Sequence, residues 1–170
     1  MRKTDAGAAA TKTSKYRPEI DGLRAFAIIP VVLFHAGVPW LSGGYVGVDV
    51  FFVISGFLIT GILVSHLSEN RFSILEFYER RIRRIFPALF SVLGASSLLA
   101  IWLLLPHELD ELAKSLFAST LFLSNFYFMG DTGYFAGPAE SKPLLHIWSL
   151  AVEEQFYIFF PVYLFVMTRY

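Results

Sequence analysis

The stretch RAFAIIPVVLFH, residues 24–35, places a cation and an imidazole at the two ends of an otherwise apolar segment. On an α-helix this spacing makes about three turns, so Arg24 and His35 would share one face, about 16 Å apart along the axis. Ionisable groups that flank or enter a membrane span are costly to bury and commonly functional. The alternative is an interfacial Arg anchor and a hydrogen-bonded His beside a loop. Both residues are therefore candidates for a site.

The composition is that of an integral membrane protein. Apolar residues make up 55% of the 170 residues, 18 of them are Phe, and they fall in long runs rather than at amphipathic spacing. Such runs predict an all-α membrane protein. The chain has no cysteine, which excludes disulfides, thiolate catalysis and Cys-ligated metals.

The net charge is zero, but the basic residues are unevenly distributed. Most of the 14 Lys and Arg precede the first apolar run or follow the second: Arg2, Lys3, Lys12, Lys15, Arg17 and Arg24, then Arg71, Arg80, Arg81, Arg83 and Arg84. By the positive-inside rule both clusters, and hence the N-terminus, are expected in the cytoplasm. Residues 1–17 are polar and basic and predict a disordered cytoplasmic tail rather than a cleaved signal peptide. Residues 18–170 form the predicted membrane domain.

Five apolar stretches predict about five transmembrane or re-entrant helices. They cover approximately residues 23–36, 45–64, 85–105, 112–129 and 144–167. Pro30 is expected to kink the first, and HELDE, residues 107–111, reads as a turn before the fourth. Simple alternation places residues 130–143 in the cytoplasm, whereas a re-entrant fourth stretch would place them outside.

Asp49 lies close to the outer end of the second stretch, at a depth comparable to that of His35 on the first. A carboxylate that accepts a hydrogen bond from one imidazole nitrogen fixes the tautomer and leaves the other nitrogen as a base. The alternative is that Asp49 caps the start of its helix, near the positive end of the helix dipole.

Four Arg within five residues adjoin the third apolar stretch, in YERRIRRIFP. On a helix Arg81 and Arg84 are neighbours at i and i+3. Guanidinium groups bind phosphates with bidentate geometry, so the pair predicts a phosphate site. The alternative is a cluster that sets topology and binds anionic lipid head groups.

The fifth stretch carries polar residues along one predicted helix face. His146, Ser149, Glu153 and Tyr157 follow one another at steps of three or four residues, while Glu154 would point to the side. Carboxylates at membrane depth are expected to face a protein interior or a wet cavity. This polar face is therefore a candidate lining for such an interior or cavity.

Four segments together carry a family resemblance: YRPEIDGLRAFAIIPVVLFHAG, GGYVGVDVFFVISGFLIT, FYERRIRRIFPAL and LLHIWSLAVEEQFYIFFPV. In this order they resemble the N-terminal half of the membrane acyltransferase-3 family, bacterial inner-membrane O-acyltransferases that modify surface polysaccharides and related molecules. The resemblance runs from Tyr16 to Pro161. It implies a truncated version of a roughly ten-helix bundle, by analogy of fold.

The resemblance also implies roles. The family's motif positions match Arg24 with His35, Arg81 with Arg84, and the acidic Asp49 and Glu153. The implied reaction moves an acyl group, most simply acetyl, from cytoplasmic acyl-CoA to a hydroxyl of a cell-surface glycan or lipid-linked sugar. The three Arg would hold the CoA phosphates, and His35 would act as base or as acyl relay, with Asp49 as its orienting group. Glu153 would be a second acid or base or would bind the acceptor hydroxyl. The substrate contacts would be His146, Ser149 and Tyr157.

The family has more spans than this chain, so two functional hypotheses stay open. One is an acyltransferase completed by a further half or a second copy. The other is an inactive membrane fragment with at most a binding or structural role. We expect residues 1–170 alone to lack transferase activity. The expected partners are membrane lipids, acyl-CoA and the glycan acceptor, with no nucleic acid and no metal.

Overall fold

The computed structural model describes residues 18–130 and 142–168, and these form helices with no strand among them. The α-helices are α1 Pro18–His35, α2 Gly47–Ser68, α3 Ile74–Leu103, α4 Pro106–Thr120, α5 Ser124–Gly130 and α6 Ile147–Met167. Two single turns of 3₁₀-helix, Pro39–Leu41 and Gly44–Val46, connect α1 to α2. The all-α prediction is confirmed. The predicted tail, residues 1–17, lies outside the described residues, as does most of the 130–143 loop.

Three helical segments of the described chain are long and apolar enough to cross a membrane, namely Gly44–Ser68, Ile74–Leu103 and Ile147–Met167. The 22 residues of α2 alone span about 33 Å, which exceeds a hydrocarbon core of about 30 Å. Helix α1 is shorter, with 18 residues, and its first two turns carry Glu19, Asp21 and Arg24. Its uncharged part, from Ala25 onward, is about 16 Å long and does not span that core by itself.

Two helix boundaries differ from the sequence prediction. The third helix begins at Ile74, where the side chain of Ser73 accepts a hydrogen bond from the Glu76 backbone N–H at 3.4 Å. The four Arg therefore lie inside α3 and not before it. Residues 107–111 are helical and not a turn, because Pro106 starts α4 and Glu108 Oε2 accepts from the Leu105 N–H at 2.7 Å.

The fourth apolar stretch is not one helix. It divides into α4 and α5 at Phe122, whose φ is 55°. The Phe122 carbonyl accepts from Gln155 Nε2 at 2.8 Å, and the amide side chains of Asn125 and Gln155 exchange two hydrogen bonds of 3.0 and 2.9 Å. Ser124 donates to the Ile147 carbonyl at 3.2 Å. The polar residues that interrupt this stretch thus bind α5 to α6.

The chain divides into two compact units between Ile54 and Ser55, inside α2. In the first unit, glycines allow the start of α2 to pack closely on α1. A Cβ at Gly44 would overlap the carbonyl oxygen of Pro30, and one at Gly47 would overlap that of Ala27. Only glycine permits this approach of two backbones.

We expect Gly47→Ala to destabilise the protein, because the added methyl would also press on Val31 and neither it nor the Ala27 backbone has room to yield. Overpacking of this kind costs about 1–3 kcal/mol, which should lower the melting temperature in detergent. Gly56→Ala and Gly61→Ala are matched controls in the same helix, where a Cβ meets nothing within 4 Å. These should be neutral or stabilising. Equal melting temperatures in all three variants would contradict the prediction.

The second unit contains two clusters of buried apolar side chains. The larger joins α3, α4 and α5 to the start of α6: Leu89, Leu93, Ala100, Leu112, Phe128, Leu144 and Ile147. The smaller consists of Ile59 and Leu63 on α2, Phe77 on α3 and Tyr157 on α6. Because the smaller cluster fixes α3 against α6 beside the arginines, it positions the candidate site.

Candidate functional site

Arg81 on α3 and Tyr157 on α6 are the centre of a charged cluster in the second unit. The guanidinium carbon of Arg81 lies 4.1 Å from the centroid of the Tyr157 ring and 5.7 Å from that of Phe77. The Tyr157 hydroxyl donates a 2.5 Å hydrogen bond to Glu153 Oε1 and also bonds with the Ser55 side chain. The structure therefore brings together a predicted phosphate ligand, a predicted acid and the tyrosine between them.

The buried face of α6 differs from the predicted one. It consists of Ile147, Ala151, Glu154, Tyr157 and Pro161, which recur at steps of three or four residues. The prediction that Glu154 points to the side is wrong, since Glu154 is only 7% exposed and Glu153 is half-buried. Glu154 Oε1 is buried without a hydrogen-bond partner among the described residues. The burial of Glu154 could have been predicted from its helical spacing, since it lies three residues after Ala151 and three before Tyr157.

The two polar residues at the start of α6 lie further out. His146 is the exposed residue immediately before the helix, and Ser149 Oγ donates to the His146 carbonyl oxygen at 3.0 Å. The Ser149 hydroxyl is thus engaged locally in this structure. Substrate contact by either residue stays a prediction.

The arginines of α3 fall into two pairs that differ in their neighbours. Arg80 and Arg83 form exposed ion pairs one turn back along the helix, Arg80 with Glu76 at 3.3 Å and Arg83 with Glu79 at 2.7 Å. Neither Arg81 nor Arg84 has an ion pair within the described ranges, and Arg84 is exposed. The pair that matches the family motif is therefore the one that forms no ion pair with a glutamate of its own helix.

His35 is the last residue of α1 and is exposed. Its Nδ1 lies 2.8 Å from the Val31 carbonyl oxygen, and its ring packs edge-to-face with Phe34 at 5.2 Å between centroids. A carbonyl only accepts hydrogen bonds, so this contact requires a proton on Nδ1. In the neutral ring the lone pair is then on Nε2, the atom that would act as base or nucleophile.

Asp49 does not orient His35 in this structure. These two described residues share no hydrogen bond or ion pair, and the Val31 carbonyl takes the role predicted for the carboxylate. Asp49 is exposed in the first turn of α2, the position expected of a carboxylate that stabilises the helix dipole. Any catalytic role of Asp49 stays a prediction.

Arg24 is half-buried on α1, and its guanidinium carbon lies 5.3 Å from the centroid of the Phe51 ring on α2. Helix α1 is continuous from Arg24 to His35 despite Pro30, so the two side chains do lie about three turns apart on one helix. No group of three His, Asp or Glu in the part of the chain that the structure describes is arranged to hold a metal ion.

Comparison with known proteins decides the family. The model of the acyltransferase domain matches residues 17–170. The chain belongs to the acyltransferase family. It is 38% identical over 159 residues to O-acetyltransferase OatA of Staphylococcus aureus, and 39% identical over 158 residues to peptidoglycan O-acetyltransferase OatA of Listeria monocytogenes. Each match covers 92% of this chain.

The chain spans about a quarter of the length of these curated relatives, 26% of the first and 25% of the second. No solved structure matches it. Membership of the acyltransferase family confirms the predicted resemblance, and the apolar helices agree with a membrane location. It does not assign roles to individual residues.

Proposed function

We propose that this chain is the donor-binding part of a membrane O-acyltransferase that moves an acetyl group from acetyl-CoA to a hydroxyl of a cell-surface glycan. Because the Listeria monocytogenes relative is a peptidoglycan O-acetyltransferase, peptidoglycan is the first acceptor to test. The proposal places the chain in the bacterial inner membrane with the N-terminus in the cytoplasm. The basic residues before α1 and in α3 support that orientation.

The observation that carries the proposal is the division of the α3 arginines. A cluster that served only to set topology would need no difference between its members, because the positive-inside effect depends on the number of cations near a span. Here Arg80 and Arg83 form ion pairs with neighbouring Glu on α3, whereas Arg81 and Arg84 form none within the described ranges. Unpaired guanidinium groups at a membrane surface suit the phosphates of CoA. Arg24 is a further phosphate ligand on the motif match alone.

The chemistry proposed for His35 rests on the hydrogen bond at its Nδ1. In direct transfer, Nε2 takes the proton of the acceptor hydroxyl while the oxygen attacks the thioester carbonyl. The carbon–sulfur bond breaks, an ester bond forms, and the proton passes to the departing CoA thiolate. In the relay alternative, Nε2 attacks the thioester carbonyl first, the carbon–sulfur bond breaks, and CoA leaves as its thiolate. The acceptor oxygen then attacks the acyl group on the ring, the nitrogen–carbon bond breaks to regenerate the imidazole, and the released hydroxyl proton balances the one taken up by the CoA thiolate.

The remaining candidates have supporting roles in this proposal. Glu153 is a second acid or base, or binds the acceptor hydroxyl, because its side chain is half-buried and accepts a hydrogen bond from Tyr157, whose ring faces Arg81. His146 and Ser149 contact the acceptor from the start of α6. Asp49 is a further acidic group of the reaction, without the orienting contact to His35.

A chimera tests the proposed function without requiring this chain to act alone. Residues 17–170 would replace the matching segment of the Staphylococcus aureus relative, in a strain without its own O-acetyltransferase. We expect glycan O-acetyl groups, released by mild base and quantified, to be restored, together with binding of acetyl-CoA to the purified chimera. A membrane-inserted chimera that binds no acetyl-CoA and leaves the glycan unacetylated would contradict the proposal and favour a structural role.

A further inference from the structure

Tyr157 makes two different contacts with two charged groups, and it is only 2% exposed. Its ring faces the Arg81 guanidinium on α3, and its hydroxyl donates to Glu153 one turn back on α6. We propose that Tyr157 is a positioning residue of the transferase: the ring holds Arg81 for the donor phosphates and the hydroxyl fixes the Glu153 carboxylate. The roles given to Arg81 and Glu153 here rest on the proposed function, whereas the contacts of Tyr157 with them do not.

Stacking is a suitable way to hold a phosphate-binding arginine. An arginine side chain has many rotamers, so a fixed position requires a partner. A carboxylate partner would occupy the N–H donors at the guanidinium edge and cancel the charge, as Glu76 and Glu79 do for Arg80 and Arg83. An aromatic ring attracts the face of the guanidinium instead and leaves its in-plane N–H groups available.

The rings around Arg81 come from two helices. Phe77 lies one turn before Arg81 on α3 and is buried, while Tyr157 approaches from α6 at the shorter distance. Phe77 alone would fix Arg81 only relative to its own helix. Contact with Tyr157 also fixes Arg81 relative to α6, and therefore relative to Glu153, which accepts a hydrogen bond from the same tyrosine.

The hydroxyl fixes the second charged group. Tyr157 donates to Glu153 Oε1 at 2.5 Å, and it bonds with Ser55 on α2, which is also buried. A carboxylate that faces a partly buried site loses rotamer freedom through such a bond. One buried side chain thus sets the positions of the cation and the carboxylate relative to each other. The ring and the hydroxyl can be removed separately.

The experiment compares Tyr157→Phe, which keeps the ring, with Tyr157→Leu, which removes both contacts. Tyr163→Leu is the matched control, since Tyr163 is an exposed tyrosine on the same helix. Phenylglyoxal reacts with accessible guanidinium groups, so peptide mass spectrometry of the chain in detergent reports Arg81 directly, with exposed Arg84 as internal reference. Acetyl-CoA affinity is measured on the same samples, with Arg81→Ala alongside, and kcat and KM are measured in the chimera.

We expect Tyr157→Leu to raise the modification rate of Arg81 relative to Arg84 by about five- to tenfold, the size of one cation–π contact. Acetyl-CoA affinity should fall as far as in Arg81→Ala. Tyr157→Phe should leave Arg81 protected and the KM for acetyl-CoA within about twofold, and lower kcat by about tenfold because Glu153 is no longer fixed. Tyr163→Leu should change none of these values.

Each contrary result has a defined meaning. If Tyr157→Leu leaves the modification rate of Arg81 unchanged, the proposal is overturned. It is also overturned if Arg81 and Arg84 become equally reactive because the protein no longer folds, since Tyr157 would then have only a structural role. A kcat for Tyr157→Phe equal to that of wild type overturns the hydroxyl's role. If Arg81 becomes exposed but neither Tyr157→Leu nor Arg81→Ala weakens acetyl-CoA binding, the positioning stands and the proposed donor site fails.

Discussion

Replacing His35 with alanine is expected to lower acetyl transfer in the chimera by at least about a hundredfold, with the protein still folded in the membrane. The expectation follows from the free Nε2 lone pair, since loss of a general base typically costs about 10²–10⁴ in rate and loss of a nucleophile more. His35→Asn keeps an N–H donor for the Val31 carbonyl but has no basic nitrogen, so it should be equally inactive.

The control for His35 is His107→Ala, which removes an exposed histidine from the first turn of α4. It should retain full activity. The assay is glycan O-acetyl content together with the amount of chimera in the membrane fraction. Substantial transfer by His35→Asn would show that the residue matters for its hydrogen bond to Val31 and not as a base, and substantial transfer by His35→Ala would remove it from the mechanism.

Loss of Arg81 and Arg84 together is expected to raise the dissociation constant for acetyl-CoA by about a hundredfold or more. A hydrogen bond to a charged group contributes about 1.5–3 kcal/mol, and this variant loses at least two. The matched control is Arg80→Ala with Arg83→Ala, which removes the same charge from the same helix. Since those two residues are already ion-paired, affinity should change by no more than about threefold.

The two double variants leave an equal number of cations beside α3, so a difference between them cannot come from topology or from general attraction of a polyanion. Arg84→Lys refines the test, because it keeps the charge but loses the planar fork, and it should weaken binding less than Arg84→Ala. Calorimetric titration in detergent measures each constant. Equal losses in both double variants would show that these arginines only set orientation in the membrane.

The ion pairs of Arg80 and Arg83 could have been predicted from the sequence. Glu76 with Arg80 and Glu79 with Arg83 are i, i+4 pairs of the favourable order, which local helix geometry alone predicts once the helix is known to begin before them. The sequence prediction placed the arginines before the third apolar stretch without fixing where their helix begins, because apolar content marks the membrane-buried part of a helix and not its polar first turns. The N-cap at Ser73 was the missing signal.

The break in the fourth apolar stretch shows a different limit. Ser124 and Asn125 are polar residues within this apolar stretch. Their hydrogen-bond partners, Ile147 and Gln155, lie more than twenty residues away on α6. Nothing local predicts that these side chains are satisfied by another helix rather than by water. Similarly, helical spacing placed Glu153 and Tyr157 near one another, but it did not show that Glu154 would be the buried carboxylate.

The sequence by itself determined the membrane class, the all-α fold class and the family motifs, because these depend on composition, on the length of apolar runs and on residue identity at matched positions. Only the tertiary structure decided which groups meet. Arg81 lies against the face of Tyr157, 76 positions away in sequence, and the His35 ring hydrogen-bonds to the Val31 carbonyl and not to Asp49. Such contacts depend on how helices pack, and many packings satisfy the same apolar runs, so the pattern of residues along one helix does not determine them.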